Sequence, residues 1–216
     1  YTWGHAIDLV SSVAGEDDFS VVAQNGRDLR SERADAAFDL RQRFALSYQI
    51  ELPFGHGRRF VNQGLLSHIV GNWDLAGLTE AETGRPFNIV SSRDSSNTGA
   101  TARPNRIGSG MLPADQRTTA RWYDTSAFVI APDYGFGNSP RNPLHGPGRL
   151  NFDLGIHRRF AIRERISLQF RGEMFNALNT PQLGDPNGTI GSAVAGSIST
   201  TITPMRQVQL SLKLIF

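Results

Sequence analysis

Five histidines, His5, His56, His68, His145 and His157, are the side chains best suited to hold a metal or to exchange a proton near neutral pH. They are scattered, with no HxxxH pair, and the chain has no cysteine, so their spacing argues against a metal site. His157 falls on the polar side of a strand pattern and reads as a hydrogen-bonding residue, with a ligand role as the alternative. Two loops are rich in oxygen ligands. These are "GEDD" at Gly15 to Asp18 and "SSRDSSNTG" at Ser91 to Gly99, but neither has the spaced ligands of an EF-hand, and solvated loop is the preferred reading. "GHGRR" at Gly55 to Arg59 suggests a phosphate cradle, yet no Lys-Ser/Thr follows and no helix is expected, so it reads as a turn beside a strand. No Ser-His-Asp constellation can be placed from sequence, and the carboxylates look like charge ladders on strand faces. The expectation is therefore a protein that is not an enzyme, with no catalytic, cofactor-binding or metal residues and no cofactor.

The elements that carry these residues are strands. In "RQVQLSLKLIF" the residues Val208, Leu210, Leu212, Leu214 and Phe216 alternate with Gln207, Gln209, Ser211 and Lys213, a period of two with one apolar and one polar face. "FDLRQRFALSYQIELPFG" repeats it, with Phe38, Leu40, Phe44, Leu46, Tyr48, Ile50 and Leu52 against Asp39, Arg41, Arg43, Ser47, Gln49 and Glu51. "GNWDLAGLTEAETGRPF" is a weaker case, with Trp73, Leu75, Gly77, Thr79 and Ala81 against Asp74, Glu80 and Glu82. "RLNFDLGIHRRF" sets Leu150, Phe152, Leu154, Ile156 and Phe160 against Asn151, Asp153, His157 and Arg159, and "RISLQFRGEMF" gives another clear strand. With "YTWGHAI" as the tail of one more, about six strands are expected.

The links between them are unequal. "AIRE" after Phe160 reads as a tight turn, while the links from Asp8 to Ala37, Phe87 to Leu150 and Asn179 to Pro204 are long. A compact soluble sandwich seldom carries three loops beyond ~12–15 residues. A transmembrane β-barrel does, with short periplasmic turns, long outer loops, and strands that are apolar toward lipid and polar toward the lumen. Arg41, Arg43, Glu51, Asp74, Glu80, Glu82, Arg171 and Glu173 would then pair across the lumen face. Phe54, Phe160 and Phe216 would form a periplasmic aromatic ring.

The chain has 216 residues, 39% hydrophobic and 19% charged, with a net charge of +2. That composition suits a folded domain or a piece of one. Its basic residues are arginines interleaved with acids, Lys213 being the only lysine, and form no basic stripe, so no nucleic-acid partner is expected. The absence of an initial Met or a cleavable apolar core suggests a fragment with any signal peptide upstream. These features give an all-β fold: an antiparallel transmembrane β-barrel segment of about six strands, an incomplete barrel with long extracellular loops.

The stretches "FDLRQRFALSYQIELPFGHGRR", "GNWDLAGLTEAETGRPFNI", "NTGATARPNRIG", "RWYDTSAFVI", "FGNSPRNPLHGPGRLNFDLGIHRRF" and "LQFRGEMFNALNTPQLGDPN", with the terminal strand, resemble the C-terminal part of TonB-dependent outer-membrane receptors of the Oar-like group, which have a carboxypeptidase-regulatory-like domain. The resemblance covers nearly the whole chain. It implies that residues 1–216 are the C-terminal part of a barrel of about 22 strands, with the plug and N-terminal domains absent. It also implies location in the bacterial outer membrane and uptake of a scarce nutrient such as a glycan, peptide or metal chelate. A non-transporting surface or adhesion barrel is the alternative. Implied partners are outer-membrane lipid, the barrel-assembly machinery, which would read Val208, Leu210, Leu212, Leu214 and Phe216, the TonB complex through the missing N-terminal part, and an unknown extracellular substrate. Substrate contact is expected in the segment from Asn88 to Pro147, through Arg93, Asp94, Asn97, Arg103, Asn105, Arg106, Arg121, Trp122, Tyr123 and Tyr134. Aromatic platforms and hydrogen-bonding forks of this kind suit polar ligands; the competing reading is that they knit the loop together.

Overall fold

A computed structural model describes residues 1–10 and 23–216, so the "GEDD" loop lies outside the described residues. In chain order the strands are β1 (Thr2–Trp3), β2 (Ile7–Asp8), β3 (Ala34–Asp35), β4 (Gln42–Glu51), β5 (Trp73–Glu82), β6 (Pro86–Phe87), β7 (Val90–Ser91), β8 (Asn105–Arg106), β9 (Phe128–Val129), β10 (Leu144–His145), β11 (Arg149–Arg163), β12 (Ile166–Phe175), β13 (Thr189–Ile190) and β14 (Gln207–Ile215). One α-helix, α1 (Gly64–Val70), interrupts the link between β4 and β5. No helix among the described residues is long and apolar enough to cross a membrane.

Two compact units divide the chain. The strand unit, residues 44–81, 150–182 and 203–216, holds most of a six-stranded sheet in the order β1-β4-β5-β11-β12-β14. Its strands are nine to fifteen residues long apart from β1, and a barrel strand needs ~9–11 to cross a bilayer. The register defines both faces. Ile156 lies opposite Gly172 and Gly172 opposite Leu210; Phe160 lies opposite Leu168 and Leu168 opposite Leu214. One residue along, His157 lies opposite Arg171 and Arg171 opposite Ser211, while Arg159 lies opposite Gln169 and Gln169 opposite Lys213. The period read from the sequence thus becomes two rows per strand, and the ladder holds apolar rows on one face and polar rows on the other. β1 and β14 are the edges of this sheet, so it does not close on itself.

The chain departs from the expected boundaries at three places. Phe38 and Leu40 precede β4, because buried Asp39 accepts from the Ala6 amide at 2.7 Å and its own amide donates to Ala36 at 2.9 Å, which holds this stretch in a turn. "AIRE" does not form the turn. β11 runs on to Arg163, the turn is Glu164 and Arg165, and a register shift between Ala161 and Arg163 absorbs the extra residue as a bulge. The link after β4 carries α1, where no helix was expected.

The loop unit, residues 1–43, 82–149 and 183–202, has a core of its own. Phe87, Ile89, Tyr123, Ala127, Phe128, Leu144 and Ile190 are buried together, with Trp122 and Ile130 packed against them. Four short two-stranded sheets stitch its segments: β10-β6, β13-β7, β2-β3 and β8-β9. The unit also holds a buried ion pair, Glu32 with Arg103, at 2.6 and 2.9 Å in a two-pronged contact. Gln24 completes it: its amide donates to Glu32 at 3.0 Å, its Oε1 accepts from the Arg103 amide at 2.7 Å, and its Nε2 donates to the Gly137 carbonyl at 3.0 Å. Arg141 adds a bond to the Glu32 carbonyl at 3.1 Å and an ion pair with Asp8. Segments far apart in sequence are thereby fixed by charge-assisted bonds.

Truncating Arg103 to alanine leaves Glu32 buried and without its cation, a loss of about 3–5 kcal/mol for a pair removed from water. Purified protein in detergent is expected to be cut by trypsin within residues 83–148 many times faster in Arg103→Ala. Arg93→Ala, which removes an exposed pair with Asp133, should change digestion little.

Candidate functional site

The ten residues expected to meet substrate separate into two groups. Arg103 is 4% and Tyr123 1% exposed, and both are scaffold. Tyr123 packs edge-on to Phe128 with ring centroids 6.0 Å apart, and its hydroxyl donates to the Asn187 carbonyl at 3.0 Å. Burial pushes its pKa up to about 12, so it stays protonated and keeps donating. Asn105, Arg106 and Trp122 are half-buried and also knit the loops. Asn105 Oδ1 accepts from the Asn138 amide at 3.0 Å while Asn138 Oδ1 accepts from the Arg106 amide at 2.7 Å; the Trp122 indole donates to the His145 carbonyl at 2.9 Å. Arg121 is exposed and pairs with Asp124 at 3.2 Å.

The remaining four, Arg93, Asp94, Asn97 and Tyr134, come together. The Tyr134 amide donates to the Ser95 carbonyl at 2.6 Å, and Arg93 pairs with Asp133 at 2.9 Å, which ties the 93–99 loop to the 133–135 turn. Asp94 organises its own loop by accepting from Ser96 Oγ at 2.7 Å and from the Gly99 amide at 2.9 Å; these bonds, the hydroxyl's first, hold its carboxyl below the usual range. Asn97 and Tyr134 have φ of 53° and 60°, a left-handed backbone that is uncommon for tyrosine. In that turn Tyr134 is 86% exposed among the described residues, an aromatic platform at the surface of the loop unit. A depression of about 550 Å³ lined by Gln24, Arg27, Thr98, Ala100 and Phe136 uses residues from the same loop and turn. The resulting surface combines a guanidinium, carboxylates, amides and two aromatic rings.

A second cluster was not legible in the histidine spacing. His5 Nε2 lies 2.8 Å from Asp35 Oδ1 and 2.9 Å from Arg41, and Arg41 bridges Asp35 at 2.7 Å and Asp39 at 2.6 Å. His5, Asp35 and Asp39 present ligand atoms within 4.8 Å of one another, but the guanidinium of Arg41 is the cation that satisfies both carboxylates. His145 stands 3.7 Å from Asp35; burial, set against the Asp35 charge, lowers its pKa, which favours the neutral ring. Burial alone would raise Asp35, yet its bonds from His5 and Arg41 prevail and its carboxyl titrates below 3.8.

In the strand unit, a trough of about 250 Å³ lies along the polar face and is lined by residues including Ser47, Gln49, Asp153, His157, Arg171 and Glu173. His157 is thus a wall residue. Some members of the expected charge ladder form local pairs. Arg171 bonds Glu173 on its own strand, Glu51 pairs with Arg58 at 2.6 Å, and Arg41 is engaged by Asp35 of β3 and by Asp39. Glu82 with Arg149, at 3.2 Å, does join adjacent strands.

Strands of bilayer-crossing length, one apolar and one polar face, and long folded links define a membrane β-barrel protein. The chain matches the outer membrane beta barrel domain family over residues 1–209 and belongs to it, as an integral protein of the bacterial outer membrane. No curated protein and no solved structure matches it.

The Asp35 cluster carries a pH dependence whose sign follows from its lowered pKa. Its stabilisation is complete above the unfolded carboxylate value and is lost as pH falls through the lower folded one. Amide exchange in residues 34–41, corrected for intrinsic rate, is expected to rise as pH drops below 3.8. Asp35→Asn should exchange faster already at neutral pH and show no such step.

Proposed function

We propose that the chain is the C-terminal barrel section of a TonB-dependent outer-membrane receptor of the Oar-like kind, taking up a scarce polar nutrient such as a glycan, a peptide or a metal chelate. The observation that supports this reading best is the pairing of an open six-stranded sheet with loops that fold around a core of their own. Two unpaired edges cannot be left in hydrocarbon, so the strands need further strands of the same barrel. An ordered loop body is costly in conformational entropy and is offset by packing and by use. The plug and the segment that contacts TonB belong in this reading to the rest of the parent protein.

The long links would face outward and the Glu164–Arg165 turn and the α1 link the periplasm, as in other outer-membrane barrels. Arg93, Asp94, Asn97 and Tyr134 then form the ligand-facing surface, joined by Arg27 and Phe136. The exposed row Val208, Leu210, Leu212 and Leu214, with Phe216 beyond it, is the stretch offered to the barrel-assembly machinery.

Three measurements on the full-length parent test this. A tag inserted between Thr98 and Gly99, both exposed, should bind antibody on intact cells, and the purified protein should be retained by the periplasmic domain of TonB. An inaccessible tag overturns the orientation; an accessible tag without TonB retention leaves a surface or adhesion barrel instead. Deleting Phe216 is expected to lower the folded, heat-modifiable fraction on gels severalfold, while Gln209→Glu on the polar face leaves it near wild type. Equal folded fractions would remove the assembly role.

A further inference from the structure

α1 is seven residues long, bounded by Gly64 and Gly71, and it presents its apolar side chains outward. Leu65, Leu66 and Ile69 are 84%, 64% and 64% exposed, while Ser67 is buried with its hydroxyl donating to the Gly64 carbonyl at 2.7 Å. A helix this short has little stability of its own in water, and its C-terminal carbonyls explain why it holds. Arg158 donates from one guanidinium nitrogen to the His68 carbonyl and from the other to the Ile69 carbonyl. The Trp73 indole donates to the Ile69 carbonyl at 3.0 Å. Three donors from two side chains, one of them a cation, thus satisfy the negative end of the helix.

Arg158 itself sits in the wrong row. It lies between Ile156 and Phe160 on the apolar face of β11, opposite Phe170, which is opposite Leu212. Its guanidinium lies over the Phe160 ring at 4.3 Å and the Trp73 ring at 5.6 Å, and Trp73 meets Phe170 edge-on at 5.7 Å. A charge in a lipid-facing row is tolerated near the membrane boundary, where it can turn toward polar groups. Here the polar groups are the end of α1. The helix is therefore tied to the lipid-facing side of the sheet, close to where β4 ends and β5 begins, with the Leu52 amide donating to the Trp73 carbonyl at 2.8 Å. Exposed Phe54 and Phe60, tilted against each other with ring centroids 6.0 Å apart and with Arg59 over Phe60 at 5.4 Å, belong to the same link. Outer-membrane barrels carry girdles of aromatic residues at the bilayer interface, and arginines near it turn their charge toward the polar side.

We infer that α1 is an in-plane membrane helix: it lays Leu65, Leu66 and Ile69 into the headgroup–acyl boundary of the phospholipid beside the barrel, and Arg158 clamps it there. The apolar face of the helix continues the lipid-facing surface of the sheet, so lipid is the occupant that surface already has. This rests on the barrel reading and, for the leaflet being phospholipid, on the periplasmic placement of the α1 link.

The test uses the full-length protein in bilayers of phosphatidylethanolamine and phosphatidylglycerol, with acyl chains brominated either near the headgroup or at mid-chain. Leu66→Cys and Ile69→Cys carry an environment-sensitive fluorophore, Leu212→Cys serves as the lipid-facing reference and Ile107→Cys as an exposed loop residue. Any other cysteines of the parent are replaced, and only heat-modifiable, assembled protein is scored. The expected result is loss of fluorescence at 66 and 69 comparable with that at 212, strongest for bromines near the headgroup as for a helix buried by ~5–10 Å, and little loss at 107. Arg158→Gln should reduce the loss at 66 severalfold and leave 212 unchanged. Quenching at 212 with none at 66 and 69 overturns the helix placement alone; quenching at neither overturns the barrel reading as well. Unaltered quenching at 66 in Arg158→Gln removes the clamp.

Discussion

In the hydrocarbon of a bilayer no water is present to take a stray N–H or C=O, so each strand must pair its backbone with its neighbours. The ladder from β11 through β12 to β14 meets this demand residue by residue, from Leu154, Met174 and Val208 to Phe160, Leu168 and Leu214. Everything else in the strand unit follows from that register. A slip of one residue would carry His157, Arg171 and Ser211 into lipid and Ile156 and Leu210 into the lumen. The bulge between Ala161 and Arg163 preserves the register up to a tight turn.

The loop unit solves a different problem. Its residues stand in water, where hydrophobic burial is available, and Tyr123, Phe87, Phe128 and Ile190 supply it. That core is small for the length of chain it must order, and charged groups do much of the fastening. Glu32, Arg103, Gln24 and Arg141 join stretches that are more than seventy residues apart, and Arg41 joins Asp35 to Asp39. Because these bonds fix the scaffold, the remaining polar side chains at Arg93, Asp94 and Asn97, with the Tyr134 ring, can be held at the surface without collapsing onto it.

Arg158 shows how a local rule is broken with compensation. A guanidinium in an apolar row would be costly if it faced hydrocarbon alone. The carbonyls of His68 and Ile69 and the faces of Trp73 and Phe160 surround it instead, and the same contacts give a seven-residue helix the cap it needs. The strand and the helix each supply what the other lacks.

The period-2 alternation in Val208 to Phe216, Phe44 to Leu52 and Leu150 to Phe160 was enough to determine the strands and their two faces, since side-chain direction in a strand depends on neighbours one and two residues away, and the unequal links between them pointed to lipid as the solvent of the apolar face. The long links were legible for the same reason, as stretches where the alternation stops. The sequence did not show that Arg103 and Tyr123 turn inward while Tyr134 turns out, or that Gln24 and Arg27 meet the loop at Thr98. Those outcomes rest on contacts between residues tens of positions apart, for which spacing carries no signal. α1 escaped because seven residues are too few for a helical period to declare itself, and because the residue that caps it, Arg158, comes from a strand about ninety positions away. The ladder is local physics repeated, and so is written in the chain; the site and the helix are made by closure of distant segments, and so only the tertiary structure decides them.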